Sequence, residues 1–318
     1  MKDLLPQVPG WVAQSIEALA GSEPDIDVGP HCTTPFPCPF VDHCSPAPPE
    51  YPVTLLPGRG KIVDELLAEG ITDVRDIPEG RLTRPMHQRV YKATVTGEPY
   101  VAPELATKLN GLAFPRYYLD FETIQFPIPI WADTHPYEQL PFQWSCHIET
   151  ADGALRHEEF LDITGEAPMR ACAEKLIDSL GRCGPILIYS PFERRVIGQL
   201  GKRFPDLKPR LDALLNRLVD LLPVVKHHYY HPAMKGSFSI KAVLPVVAPY
   251  LSYEELGDVK DGVAAQVAFE EAIDPATEAS RRQQIQQELL AYCALDTLAM
   301  VELVRSLSAA TPSETIPG

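Results

Sequence analysis

Two pairs of residues in this chain have the types and spacing for hydrolytic chemistry. In "RYYLDFET", residues 116–123, Asp120 and Glu122 stand two apart inside a run of strand formers. In "LLAYCALDTLAM", Tyr292 and Asp296 stand four apart. On a strand, residues i and i+2 share a face, so both carboxylates point one way while Tyr117, Leu119 and Phe121 turn towards a core. On a helix, residues i and i+4 stack on one face. Neighbouring carboxylates repel, and burial raises that cost. A bound cation relieves it, and oxygen-only donors select Mg²⁺ or Mn²⁺ over zinc. The bland alternative is a wet strand end. Between the pairs, "ILIYSPFERR" sets Glu193 just after an apolar run, and "RLVDLLPV" carries Asp220.

A second constellation is "HCTTPFPCPFVDHC", with Cys32, Cys38 and Cys44 separated by five residues each. Three thiols in a short loop suit zinc or an iron–sulfur cluster, with His31 or His43 as a fourth zinc ligand. A loop without metal is the alternative. Cys146, Cys172, Cys183 and Cys293 sit in apolar periodic segments, where core packing is the default.

These residues need elements to hold them. "RYYLDFET", "FQWSCHIET" and "HEEFLDI" read as three strands, with Asp152-Gly153 as a hairpin signal between the last two. "APMRACAEKLIDSLG" reads as an amphipathic helix and "PILIYS" as a buried parallel strand. "FERRVIGQLGKRF" and "KPRLDALLNRLVDLLPVV" read as helices, and the last long helix runs from Pro275 to Leu307. Residues 1–57 form a Cys-rich N-terminal segment with one short helix, "PGWVAQSIEALAG". Residues 58–98 form a small helical region that resembles a helix-hairpin-helix; a plain helical linker is the alternative. Residues 111–308 form the α/β domain, and 309–318 a flexible tail.

The formal net charge is −15, which counts against a protein that coats long nucleic acid. The charge is uneven: Ser190 to Lys241 holds 10 Lys+Arg against 4 Asp+Glu. A basic strip on an acidic body suits an enzyme that grips one strand near its active site; a solvated helical face is the alternative. Seven cysteines, no apolar run of signal-peptide length and no 18-residue apolar stretch fit a reducing cytoplasm and no membrane span.

The order D-x-E, then Glu193, then Y-x-x-x-D resembles the DEDD (DnaQ-like) 3′–5′ exonuclease superfamily, tyrosine subclass, which has an RNase H-like fold. More closely, "YYLDFET", "PYEQLPFQWSCHI", "GSFSIKAVLPVV", "LSYEEL" and "YCALDTLAMV" are similar to the bacterial domain-of-unknown-function family 2779. The likeness covers about residues 111–308. One departure stands out. The superfamily's second motif has Asn, a short gap and Phe/Tyr-Asp, whereas "YSPFE" lacks the Asn and has Glu193 in place of Asp. Asp220 is the competing candidate, placed like a downstream Asp that helps orient the site.

The resemblance implies an RNase H-like mixed sheet flanked by helices, preceded by a small helical and Cys-rich N-terminal region. It implies metal-dependent hydrolysis of single-stranded DNA or RNA from the 3′ end. Two Mg²⁺ or Mn²⁺ ions, about 3.5–4 Å apart, clamp the attacking and leaving oxygens in such sites. Asp120, Glu122, Glu193 and Asp296 would hold them, and Tyr292 would orient the attacking water. Lys202, Arg203, Lys226, Lys235 and Lys241 are candidates for phosphate contacts. The competing reading is a catalytically inactive module of the same fold that binds nucleic acid or protein. The Cys loop resembles the tail of RecB-like iron–sulfur nucleases, which implies a remnant of a lost nuclease or a fragment of a longer protein. Which nuclease or helicase would partner it is not readable from these residues.

Overall fold

Alternating apolar and polar residues build a sheet that is covered on both sides. The computed structural model describes residues 4–23, 25–45, 47–58, 60–253 and 256–313. The chain divides into two units, Met1–Pro52 and Val53–Gly318. The first holds α1 (Val8–Ala20) and the short α2 (Val41–Cys44). No side chain of α1 is buried.

The second unit begins with α3 (Lys61–Ala68) and α4 (Pro85–Thr96), joined through a turn at Gly70 and one 3₁₀ turn, Val74–Asp76. The two or three short helices expected at 58–98 are present, but they belong to the same compact unit as the rest. Arg89 of α4 donates to the carbonyl of Lys226 at 2.8 Å. The strand β1 (Tyr100–Val101) and α5 (Leu105–Asn110) lead into the main sheet.

That sheet contains β2 (Arg116–Ile124), β3 (Leu140–Glu149), β4 (Leu155–Leu161), β5 (Ile186–Ile188) and β6 (Leu218–Asp220), in the order β4-β3-β2-β5-β6. The first three form an antiparallel meander; β5 and β6 run parallel to β2. Gly184 sets the start of β5. Its φ is +84°, and a Cβ there would lie 2.0 Å from the carbonyl oxygen of Pro115, so only glycine admits the close approach.

Around the sheet lie α6 (Met169–Ser179), α7 (Phe192–Arg203), α8 (Lys208–Leu215), α9 (Leu221–His228), α10 (Ile240–Val247), α11 (Gly262–Ile273) and the 30-residue α12 (Ala279–Ser308). The strand β7 (Tyr229–Tyr230) pairs with β1. One core joins Tyr117, Leu119 and Phe121 of β2, Phe142 and Trp144 of β3, and apolar residues of α6, α7 and α12. The outward turn of Tyr117, Leu119 and Phe121 to a core is therefore as expected. Among the described residues no helix is long and apolar enough to cross a membrane.

Three sequence readings need correction. The stretch "KPRLDALLNRLVDLLPVV" is not one helix but α8, β6 and α9. Its leucines fit helical spacing, yet Arg217 ties the middle down: its guanidinium donates to the carbonyls of Leu180, Gly181, Cys183 and Gly184 at 2.7–3.0 Å. Cys183 is exposed rather than packed in the core. Part of the tail is anchored: the amide of Ser313 donates to Val101 at 3.0 Å, and the amide of Val101 to the Ser313 hydroxyl at 2.8 Å. The rest of that tail, 314–318, lies outside the described residues, as do Glu254 and Glu255 of "LSYEEL".

Candidate functional site

Strand β2 delivers Tyr118, Asp120 and Glu122 to the face covered by α12, because period 2 sends Tyr117, Leu119 and Phe121 to the other. A register shift between Glu122 and Thr123 ends the regular pairing just past the acidic pair. Strand β5 runs parallel beside β2 and hands the chain to α7, whose first turn carries Glu193. Ser190 steadies that turn: its hydroxyl accepts from the amide of Phe192 at 3.0 Å and lies 3.3 Å from Glu193 Oε2. From the other end of the domain, α12 presents Tyr292 and Asp296 one turn apart, both buried.

The four carboxylates and Tyr292 line one cleft of about 630 Å³. Glu122, Glu193 and Asp296 are buried, and Asp120 is half-buried. Asp120 and Glu193 lie close enough for each to shift the other's titration. Burial pushes Asp120 well above the usual carboxylate range, helped by the charges of Asp296, Glu122 and Glu193. Burial likewise lifts Glu122 to about 8, with Asp296 adding to the rise and Lys241 opposing it. Glu193 rises to about 7, chiefly from burial. Asp296 rises less, to about 6, because the hydrogen bond from Tyr253, the charge of Lys241 and the nearby Tyr292 hydroxyl oppose its burial.

Glu193 therefore joins the group despite its extra methylene, while Asp220 does not line the cleft. Asp220 caps α9, accepting from the amide of Leu222 at 2.9 Å, and its charge is felt by Glu193. Of the five basic candidates, Lys226 and Lys241 line the cleft and Lys202, Arg203 and Lys235 do not. Arg203 is engaged elsewhere, donating to Glu138 at 2.8 Å and to the carbonyl of Asp133 at 2.9 Å. Lys241 sits in the first turn of α10, which Ser239 caps through the amide of Ala242. Its ammonium donates to the hydroxyl of Tyr292 at 3.2 Å and to the carbonyl of Lys260 at 2.8 Å. It also lies 5.1 Å and 5.2 Å from the ring centres of Tyr292 and Tyr253.

Sequence reasoning missed two members. Tyr253 donates its hydroxyl to Asp296 Oδ1 at 2.5 Å; it lies in a loop without periodicity, so no spacing marked it. Cys293, read as core packing, is buried but has its Sγ 3.8 Å from Asp120 Oδ2. It adjoins Tyr292 in sequence, and on a helix inserted against β2 that adjacency was the available signal.

The N-terminal cysteine loop shows no such convergence. Cys32 Sγ accepts from the amide of Gly29 at 3.5 Å, and His43 pairs with Glu23. Among the described residues the three thiols do not gather into a ligand set; the group that does is Asp120, Glu122 and Cys293.

The donor set in the cleft fits hard divalent cations. Four carboxylates supply oxygen donors, and Lys241 is the cation whose charge opposes the upward shifts of Glu122 and Asp296. Residues 117–239 match the family model described as "Domain of unknown function (DUF2779)". That span includes Asp120, Glu122 and Glu193 and stops short of Tyr292 and Asp296. No curated protein and no solved structure matches the chain.

Proposed function

We propose that this chain is a metal-dependent nuclease of the DEDD type, acting as a 3′–5′ exonuclease on single-stranded DNA or RNA. One observation carries the reading: four carboxylates from β2, α7 and α12, three buried and Asp120 half-buried, converge in one cleft without an arginine among them. Like charges held together in a buried site are costly, and a divalent cation offsets that cost. The strand order β4-β3-β2-β5-β6, antiparallel and then parallel, supports an RNase H-like sheet. The convergence also favours an enzyme over an inactive binding module, which has no need of the carboxylates.

Asp120, Glu122, Glu193 and Asp296 would hold Mg²⁺ or Mn²⁺. When bound, such ions supply Lewis-acid activation of water and neutralise charge developing on phosphate. The chain's own residues do the rest. Tyr292, whose hydroxyl accepts from Lys241 and which stands one turn from Asp296 on α12, presents its hydroxyl at the cleft to orient the attacking water. Burial and the neighbouring carboxylates push this phenol above its ordinary value, so it serves as a neutral donor and not as a base. Lys226 and Lys241 face the substrate backbone across the same cleft. Tyr189, Phe192 and Phe238 add aromatic surface to its wall, suited to stacking unpaired bases.

The test is a strand-degradation assay. The purified chain with Mg²⁺ or Mn²⁺ should release mononucleotides from 3′-labelled single strands, and chelator should stop it. No metal-dependent release, or release undiminished in Asp120→Ala, would falsify the reading.

A further inference from the structure

The thiol of Cys293 is an odd neighbour for a hard-cation site. It is fully buried on α12, with its Sγ 3.8 Å from Asp120 Oδ2 and 3.9 Å from the Asp120 carbonyl. One ligand atom each from Asp120, Glu122 and Cys293 lies within 4.8 Å of the others. Glu122 is an independent pointer. It is 8% exposed and lines the cleft, and among the described residues it takes no hydrogen bond and no ion pair. A carboxylate nine-tenths buried, aimed into a cleft and without a protein partner, is free to serve as a cation ligand.

The dimensions suit a softer ion than magnesium. Zinc takes sulfur at about 2.3 Å and carboxylate oxygen at about 2.0–2.2 Å; a tetrahedral angle between them sets sulfur and oxygen about 3.6 Å apart. The observed 3.8 Å needs little adjustment. We propose that Cys293, Asp120 and Glu122 form a mixed thiolate–carboxylate site for a thiophilic divalent cation, zinc above all. Binding breaks the S–H bond as the metal–sulfur bond forms, and the thiol proton leaves to solvent. No electrons are exchanged.

The consequence rests on the nuclease reading. Zinc held by three protein donors in tetrahedral geometry occupies the ligands of the hard cation, whereas Mg²⁺ requires octahedral oxygen coordination and retains several waters. Zinc therefore silences the cleft, and Cys293 makes it zinc-sensitive.

The test uses the full chain and Cd²⁺ as a spectroscopic stand-in, since cadmium thiolates absorb in the ultraviolet and zinc thiolates are nearly silent. Titration into metal-free protein should give a charge-transfer band. The combined Cys32→Ser, Cys38→Ser, Cys44→Ser variant should keep a one-equivalent band, and Cys293→Ser in that background should lose it. If the band survives Cys293→Ser, or vanishes with the loop cysteines alone, the proposal is overturned. Should Cys293→Ser fail to fold, Asp120→Asn keeps every thiol and is nearly isosteric; it should weaken Cd²⁺ binding in the same background at least tenfold, and unchanged affinity overturns the site. For activity, zinc should inhibit the native chain at concentrations at least tenfold below those needed for Cys293→Ser. The band needs no catalysis. A Cys293-dependent band on a chain that degrades no strand would uphold the site and remove the nuclease reading.

Discussion

The face of the sheet under α12 buries carboxylates at two places, and the two are treated in opposite ways. At one end, Glu149 of β3 is closed off by protein. It accepts from Arg305 Nε at 2.8 Å and from the Tyr118 hydroxyl at 2.8 Å, with Arg116 Nη1 3.8 Å away. A few residues along the same strands, Asp120 and Glu122 join Glu193 and Asp296 with no arginine at all. Tyr118, Asp120 and Glu122 share one face of one strand, so depth and backbone are nearly constant between the two places. What differs is who supplies the counter-charge. Around Glu149 the chain supplies it; around Asp120 the chain supplies tyrosine hydroxyls and one lysine and leaves the remainder to solvent. On the proposed reading, a buried carboxylate with its own arginine is structure, and a group of carboxylates without one is left for a cation to neutralise.

The comparison breaks or holds on a pair of substitutions. Asp296→Asn should lower strand degradation by at least about 10³-fold, or about 4 kcal/mol of transition-state stabilisation, measured by mononucleotide release in saturating Mn²⁺. The same variant should melt no lower than the native chain in chelator, because it removes one of the repelling charges. Glu149→Ala should do the reverse. It takes the carboxylate from Arg305, which keeps Glu302, and from Arg116, which keeps the carbonyls of Leu109 and Leu112, and breaking a buried pair in this way costs about 3–5 kcal/mol. The low end applies because Arg305 reaches water. Its folded fraction should keep native turnover. If Glu149→Ala abolished activity without loss of stability, or Asp296→Asn unfolded the chain, the division between the two ends would be wrong.

Metal and pH sharpen it further. The folded-state values of Glu122, Glu193 and Asp296 all stand above the ordinary carboxylate range. Between that range and about pH 8 the folded chain thus binds more protons than the unfolded one. Stability from these groups is fully present below the unfolded pKa and is lost as pH rises through the folded values. A divalent ion replaces the protons, so its stabilising effect should grow with pH. Thermal melts with and without Mn²⁺ should separate by roughly 4–8 °C more at pH 8.5 than at pH 6, equivalent to about 2 kcal/mol. Asp120→Asn should flatten that difference. An ion effect independent of pH would mean that the carboxylates are already ionised without metal.

How much of this was readable beforehand follows from the kind of signal each part leaves. Asp120 and Glu122 on a strand, and Tyr292 and Asp296 on a helix, carry periodicities that sequence alone displays, and the sheet meander followed from alternation. Glu193 was found because the apolar run before it marked β5. The strand β6 was lost to helical leucine spacing, since the restraint on it comes from Arg217 reaching carbonyls more than 30 residues away. The basic strip gave five candidate cations but no direction for any of them. Arg203 is absorbed by Glu138, 65 positions earlier, while Lys241 turns to Tyr292, 51 positions later. Such pairings are made by the fold and leave no mark in local composition.

The smallest expected effect concerns Tyr253. Its hydroxyl donates to Asp296, and such a bond favours the ionised carboxylate. Tyr253→Phe removes the donor and leaves the other contacts of Asp296 in place, so Asp296 should require a higher pH to ionise. The rising acid limb of the pH–rate profile should move upward by up to about one pH unit. Turnover should therefore fall several-fold near pH 6 and recover at pH 8.5 or above. Tyr292→Phe removes the hydroxyl assigned to the attacking water, so its loss should persist at every pH. If both variants recovered alike, Tyr292 would be a support for Asp296 and nothing more. If neither did, Tyr253 would have to touch the substrate itself, and the tyrosine pair, rather than the carboxylates alone, would mark off this end of the polar face from the Glu149 end.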